Sequence, residues 1–121
     1  MSKYGRPTHG GTFDLGAIDA ELRTTKEYAE EGHAARSLAR EDDVRIVLLV
    51  MKAGARIAEH RANETAVVHV LSGRVQLHLP EKTVDLPAGQ LLVLEPGPQH
   101  DVEAVVDSAF LLTLGWPTAS R

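Results

Sequence analysis

The chain has 121 residues, 43% of them hydrophobic and 25% charged, with a net charge of −4 and no cysteine. These values predict one soluble globular domain, and the absence of a signal-peptide pattern in the N-terminal residues and of cysteine predicts a cytoplasmic location. The absence of cysteine excludes disulfides and thiolate metal sites. The negative net charge argues against nucleic acid or an anionic membrane as a partner. No apolar run in the sequence approaches the roughly 20 residues of a membrane helix.

The N-terminal part of the chain is polar and glycine-rich. Residues 1–20 are predicted to form a flexible or partly ordered arm, and residues 21–121 a single domain. The segment "TTKEYAEEG" predicts one short helix, because Thr24 and Glu27 have the spacing of a capping box and Gly32 is a typical stop.

Strand signals dominate after this helix. The run "VRIVLLVM" at residues 44–51 is β-branched and apolar, and "TAVVHVLSGRVQLHLP" at 65–80 predicts a hairpin that turns at Ser72 and Gly73. Four further strands are predicted from "TVDL", "QLLVL", "HDVEAV" and "AFLLTLGW". Short strands separated by turn signals at this spacing favour an all-β barrel or sandwich.

The alternation of side chains predicts which residues of the hairpin face the core, because successive side chains of a strand point to opposite faces. One face is entirely apolar and is predicted to be buried; it comprises Ala66, Val68, Val70, Val75, Leu77 and Leu79. The opposite face is mixed and comprises Val67, His69, Gln76 and His78.

The spacing of glycine and histidine that starts at Gly54 resembles the first motif of the cupin family, G-x5-H-x-H-x3,4-E-x6-G. Gly54, His60 and Gly73 match this motif. Ala62 occupies the position of its second histidine, and Ala66 occupies the position of its glutamate.

The second cupin motif, G-x5-P-x-G-x2-H-x3-N, is matched by Gly89, Gly97 and His100, while Glu95 and Ala104 replace the proline and the asparagine. With both motifs in order, the sequence is similar to small single-domain cupins of the cupin-2, RmlC-like type. The resemblance implies an all-β, cupin-type double-stranded β-helix, a jelly-roll barrel, here with one short N-terminal helix.

The resemblance also implies a divalent metal held by three histidines and one carboxylate or amide. Only His60 and His100 remain of that set, and the methyl groups of Ala62 and Ala66 donate nothing to a metal. We therefore expect no metal cofactor and an unknown small organic ligand in an apolar barrel pocket. The predicted pocket residues are His60, Ala62, Ala66, Val68, Leu77 and His100.

An alternative prediction keeps the metal. If Glu64 turns inward, His60, Glu64 and His100 form a set of two imidazoles and one carboxylate, which suits Zn, Fe, Mn or Ni. The resemblance would then imply a metal-dependent enzyme of the dioxygenase, isomerase or decarboxylase type. Glu64 is equally explained as a solvated loop residue, so the sequence leaves open whether the protein is an enzyme.

A homodimer is predicted from the apolar run at residues 44–51, because such a strand at the edge of a sheet would need a cover.

Overall fold

The computed structural model describes residues 10–61, 63–97 and 99–115, with residues 59–61 described by their backbone alone. Two helices precede the strands, α1 at Leu15–Leu22 and α2 at Lys26–Glu31. In these described ranges neither helix has the length or the apolar content to span a bilayer.

The prediction of a single N-terminal helix is wrong, because it omits α1. The N-cap of α1 is Asp14, whose Oδ1 accepts a hydrogen bond from the Ala17 amide at 3.0 Å. No glutamate or glutamine completes a capping box there, so the start signal in the sequence is weak. The predicted boundary of an arm at residue 20 falls within α1, and the division into arm and domain stays a prediction.

The predicted second helix is present with its cap displaced by one residue. Thr25, and not Thr24, is the N-cap of α2, and its hydroxyl accepts a hydrogen bond from the Tyr28 amide at 3.2 Å. Gly32 ends the helix with a φ of 84°, a left-handed conformation that favours glycine.

Nine strands follow the helices in the described residues. They are β1 (His33–Arg40), β2 (Val44–Met51), β3 (Arg56–Arg61), β4 (Ala66–Ser72), β5 (Arg74–His78), β6 (Thr83–Pro87), β7 (Leu91–Leu94), β8 (Gln99–Ala104) and β9 (Ser108–Gly115).

These strands form two antiparallel sheets that pack against each other. The first sheet has the order β1-β2-β9-β4-β7, and the second has the order β3-β8-β5-β6. The chain crosses repeatedly from one sheet to the other, as in a jelly roll. The prediction of an all-β double-stranded β-helix is confirmed.

The predicted hairpin around Ser72 and Gly73 is wrong. β4 pairs with β7 and β9, whereas β5 pairs with β6 and β8 in the other sheet. Gly73 is a corner between the sheets, with a φ of 80° and no room for a side chain, because a Cβ there would overlap the Asp107 carbonyl oxygen and Ser108 Oγ. Ser108 Oγ in turn accepts a hydrogen bond from the Arg74 amide at 2.9 Å, which fixes the chain as it enters β5.

The predicted core face is nevertheless found in the core, because alternation along a strand does not depend on which strand lies beside it. Five of its residues are buried and Leu79 is partly buried against them. The full cluster between the sheets comprises Met51, Ala66, Val68, Val70, Val75, Leu77, Leu86, Leu94, Val102, Ala104, Phe110 and Leu114.

The apolar strand β2 is not an edge of the sheet. It pairs with β1 on one side and β9 on the other. Its outer face is covered by the helices. Residues of both helices and of β1, β2 and β9 form a second buried cluster there, which comprises Leu22, Tyr28, Ala34, Leu38, Leu48, Val50 and Ala109. The argument for a homodimer from an uncovered β2 is therefore wrong, and the homodimer itself stays a prediction.

Candidate functional site

The two histidines that match the cupin motifs lie opposite each other on neighbouring strands. His60 of β3 and His100 of β8 are register partners, and the pairing is irregular between Ile57 and His60. Because β8 alternates, His100 points to the inner face together with Val102, and it is only 7% exposed. The backbone therefore brings the two predicted site histidines together.

The other predicted metal-site positions give a mixed result. Glu64 lies in a bend before β4 and is half-buried, while Ala62 and the side chain of His60 lie outside the described residues. Ala66 is 1% exposed and its Cα pairs with those of Leu94 and Leu114, so its methyl group faces the apolar interior.

The described side chains do not by themselves fit a metal ion. Within residues 10–58, 63–97 and 99–115, no three histidine, aspartate or glutamate side chains are grouped so that they could hold one. His100 supplies one nitrogen, and Ala66 supplies none in the position where the family has a carboxylate. The metal set of His60, Glu64 and His100 stays a prediction.

A groove of about 540 Å³ opens at the end of the barrel where His100 lies. We call it the mouth groove. Its apolar lining residues are Leu79, Pro80, Leu92, Val93 and Leu94. Its polar lining residues are Glu81, Lys82, Glu95 and His100. The volume is within the range of about 300–1,000 Å³ that small-molecule sites occupy.

Of the four predicted pocket residues whose side chains the structure describes, only His100 lines the mouth groove. Ala66, Val68 and Leu77 belong to the tightly buried cluster between the sheets. The groove lies beyond them, between the turn that joins β5 to β6 and the strand β7. Residues 79–82 and 92–95 form the two walls of the groove. The sequence did not reveal them, because each segment has the pattern of an ordinary turn or strand. Glu95, which occupies the proline position of the second motif, does line the groove.

The charges at the rim of the mouth groove have both signs. Glu81, Lys82 and Glu95 are exposed. In the described part of the chain none of these three side chains forms a hydrogen bond or an ion pair with another residue, whereas His100 does interact with another residue. A ligand in the groove would thus meet two carboxylates and one ammonium group at the rim and an imidazole at the base.

Charged residues on the outer face of the second sheet are, by contrast, paired with each other. Arg56 donates to Asp101 Oδ2, and His78 Nε2 lies 3.1 Å from Glu103 Oε1. The hydrogen bond from Arg74 holds the pKa of the Asp85 carboxyl below its ordinary value. These partly exposed pairs stabilise the sheet only slightly.

Residues 46–117 match the family model described as the AraC-like ligand-binding domain. No curated protein sequence matches the chain.

Three solved structures illustrate the similarity. The conserved SPY1581 protein of unknown function from Streptococcus pyogenes is 25% identical, with a TM-score of 0.75 and coverage of 98% of each chain. The cupin superfamily protein DSY2733 from Desulfitobacterium hafniense is 18% identical, with a TM-score of 0.67 over 70% of this chain and 78% of that one. Salicylate 1,2-dioxygenase from Pseudoaminobacter salicylatoxidans, in its adducts with gentisate, is 16% identical, with a TM-score of 0.75 over 84% of this chain and 32% of that one.

Proposed function

The chain belongs to the family of AraC-like ligand-binding domains, and from this membership we propose that it binds a small organic molecule in the mouth groove without a metal ion. The resemblance to small cupin-2 type domains is confirmed. The observation that carries the proposal is the position of His100, a buried imidazole at the base of a groove with apolar walls.

The chemistry of the groove supports this proposal. Leu79, Leu92 and Leu94 offer aliphatic surface, and removing such surface from water contributes about 25 cal/mol per Å². His100 offers an imidazole ring, whose nitrogens accept or donate hydrogen bonds. Apolar walls with a few convergent polar groups are the usual composition of a small-molecule site.

Native mass spectrometry of the protein purified without a histidine tag tests the proposal. We expect a mass adduct of a few hundred daltons or, after extraction, a rise in melting temperature with a member of a small-molecule library. His100→Ala should abolish this binding, and His69→Ala, a half-buried histidine on the outer face of β4, is the matched control. Binding that survives His100→Ala would contradict the proposal.

A second function is favoured by one observation. The register of β3 and β8 pairs His60 with His100, so two family metal-ligand positions lie on adjacent strands. If Glu64 joins them, the chain would be a metal-dependent enzyme of the dioxygenase, isomerase or decarboxylase type, with Zn, Fe, Mn or Ni as the ion. The ion content of the untagged protein separates the two functions, because the first requires none.

The homodimer and the cytoplasmic location remain predictions. Sedimentation velocity at micromolar concentration tests the first. The exposed apolar side chains in the described residues, Phe13, Leu91, Val93, Val105 and Val106, are candidate positions for such a contact, whereas β2 is already covered.

A further inference from the structure

Strand β7 presents a free edge to the mouth groove. It is the terminal strand of its sheet, and in the described residues β4 is its one neighbour. Four consecutive residues at positions 92–95 line the groove. Because successive side chains point to opposite faces, four consecutive lining residues mean that the strand contributes its backbone edge as well as the side chains of one face.

The alternation of hydrogen bonds identifies which backbone groups are free. The Val70 amide donates to the Gln90 carbonyl oxygen at 3.0 Å, and in an antiparallel pair only every second residue bonds to the same neighbour. Leu92 and Leu94 therefore bond to β4, while the N–H and C=O groups of Leu91 and Val93 point away from it. Of these two residues, only Val93 lines the groove.

Apart from its short length of four residues, the edge of β7 lacks the features that usually protect an edge strand. Leu91–Leu94 contains no lysine, no proline and no bulge. The opposite edge of the same sheet, β1, carries Arg36 and Arg40 and a register shift between Ser37 and Ala39. Within the part of the chain that the structure describes, the donor and acceptor of Val93 are thus available to a ligand that has a matching pair.

The remaining groups of the groove narrow the chemical class of that ligand. The apolar part of the described lining is entirely aliphatic, with no phenylalanine, tyrosine or tryptophan, so a sugar would have no such ring to stack on. A plain fatty acid would satisfy the aliphatic wall but not the backbone pair of Val93. The rim, with Lys82 on one wall and Glu95 on the other, complements a molecule that carries both charges.

We propose that the mouth groove takes a short apolar peptide of dipeptide size, which extends the sheet along β7. The amide N–H of its C-terminal residue donates to the Val93 carbonyl oxygen, and one carboxylate oxygen of the same residue accepts from the Val93 amide. An apolar side chain packs on Leu79 and Leu92, and the charged ends meet Lys82 and Glu95. This inference rests on the proposed function, because it names the class of ligand for the same groove.

Isothermal titration calorimetry with leucyl-leucine as the probe tests the inference. Val93→Pro removes the free N–H, a change that edge strands tolerate, and we expect about tenfold weaker binding. Leu91→Pro is the matched control, because it removes the other free N–H outside the groove, and it should change binding less than twofold. Lys82→Gln should weaken binding severalfold, and N-acetyl-leucyl-leucine amide, which has no charged ends, should bind more weakly than leucyl-leucine.

A second set of probes needs no variant and covers the case in which Val93→Pro does not fold. Leucyl-leucine with a methylated amide nitrogen should bind about tenfold more weakly, and octanoate and a monosaccharide should not compete. Competition by octanoate or by the sugar, or equal binding of the methylated peptide, overturns the inference. If another ligand then binds and is lost on His100→Ala, the proposed function stands without it; if nothing binds the groove, both fail.

Discussion

Replacing Ala66 by glutamate restores the carboxylate that the cupin motif has at this position, in a site that is buried among apolar residues. Ala66 is 1% exposed, and its register partners are Leu94 and Leu114. Ala66→Met is the matched control, because methionine has a similar length and no charge. The difference between the two variants isolates the cost of placing a carboxyl group in the barrel.

The size of this difference follows from the titration of the new group. Both variants should lose about 1–3 kcal/mol from overpacking. In an apolar site the carboxyl group avoids ionisation by taking up a proton, and the unfolded chain ionises it with a pKa of about 4.3. Each pH unit above that value costs about 1.4 kcal/mol, so Ala66→Glu should be about 4 kcal/mol less stable than Ala66→Met at pH 7.

Urea unfolding at pH 7 and pH 5 measures both free energies of unfolding. The native state of Ala66→Glu binds more protons than the unfolded state above pH 4.3, so its stability falls as the pH rises. The difference from Ala66→Met should shrink to about 1 kcal/mol at pH 5. If Ala66→Glu is unfolded at pH 7, recovery of the fold on acidification reports the same linkage. Equal stability of the two variants at pH 7 would refute the reasoning, because water, a cation or an imidazole would then stabilise the charge at this position.

Three further predictions concern the barrel itself. Gly73→Ala should lower the free energy of unfolding by at least about 2 kcal/mol more than Gly54→Ala does. Both glycines have φ near 80°, but of the two only Gly73 has no room for a Cβ. Thermal unfolding checks this, and equal losses would mean that the corner is not tightly packed. Leu77→Ala should lower the free energy of unfolding by about 2–5 kcal/mol, since Leu77 is fully buried. Leu91→Ala should change it by no more than about 0.5 kcal/mol, since Leu91 is 55% exposed. Similar losses for the two variants in urea unfolding would contradict the described core. Burial raises the pKa of Tyr28, so the native state keeps a proton that the unfolded state loses above about pH 10. The free energy of unfolding should therefore fall as the pH rises above this value, and it should fall less steeply in Tyr28→Phe. Parallel pH profiles of the two proteins would count against the burial of Tyr28.

The elements that follow from the sequence are those set by local patterns. The β-branched run at residues 44–51 gives β2, and the alternation from Ala66 to Leu79 gives the core face correctly. Both signals depend only on neighbouring residues. β1, in which Arg36 and Arg40 interrupt the apolar residues, has no such signal, and it becomes a strand through its pairing with β2.

The errors concern which distant segments meet. Ser72 and Gly73 have the composition of a hairpin turn, but Gly73 packs against residues 107 and 108, which lie more than thirty positions away. Proximity in sequence therefore gave the wrong partner for β4. The mouth groove is hidden for the same reason, because its walls at 79–82 and 92–95 meet only when the two sheets close on each other. His100 was found because a motif marks it.

The metal content of the untagged protein tests the central claim most directly. Elemental analysis by mass spectrometry, after purification in buffers without chelators, gives the number of ions per chain. The metal-free groove predicts far less than one equivalent of zinc, iron, manganese or nickel, and the same value in His100→Ala. A content near one ion per chain that disappears in His100→Ala would contradict the account and would identify the barrel as a metal centre.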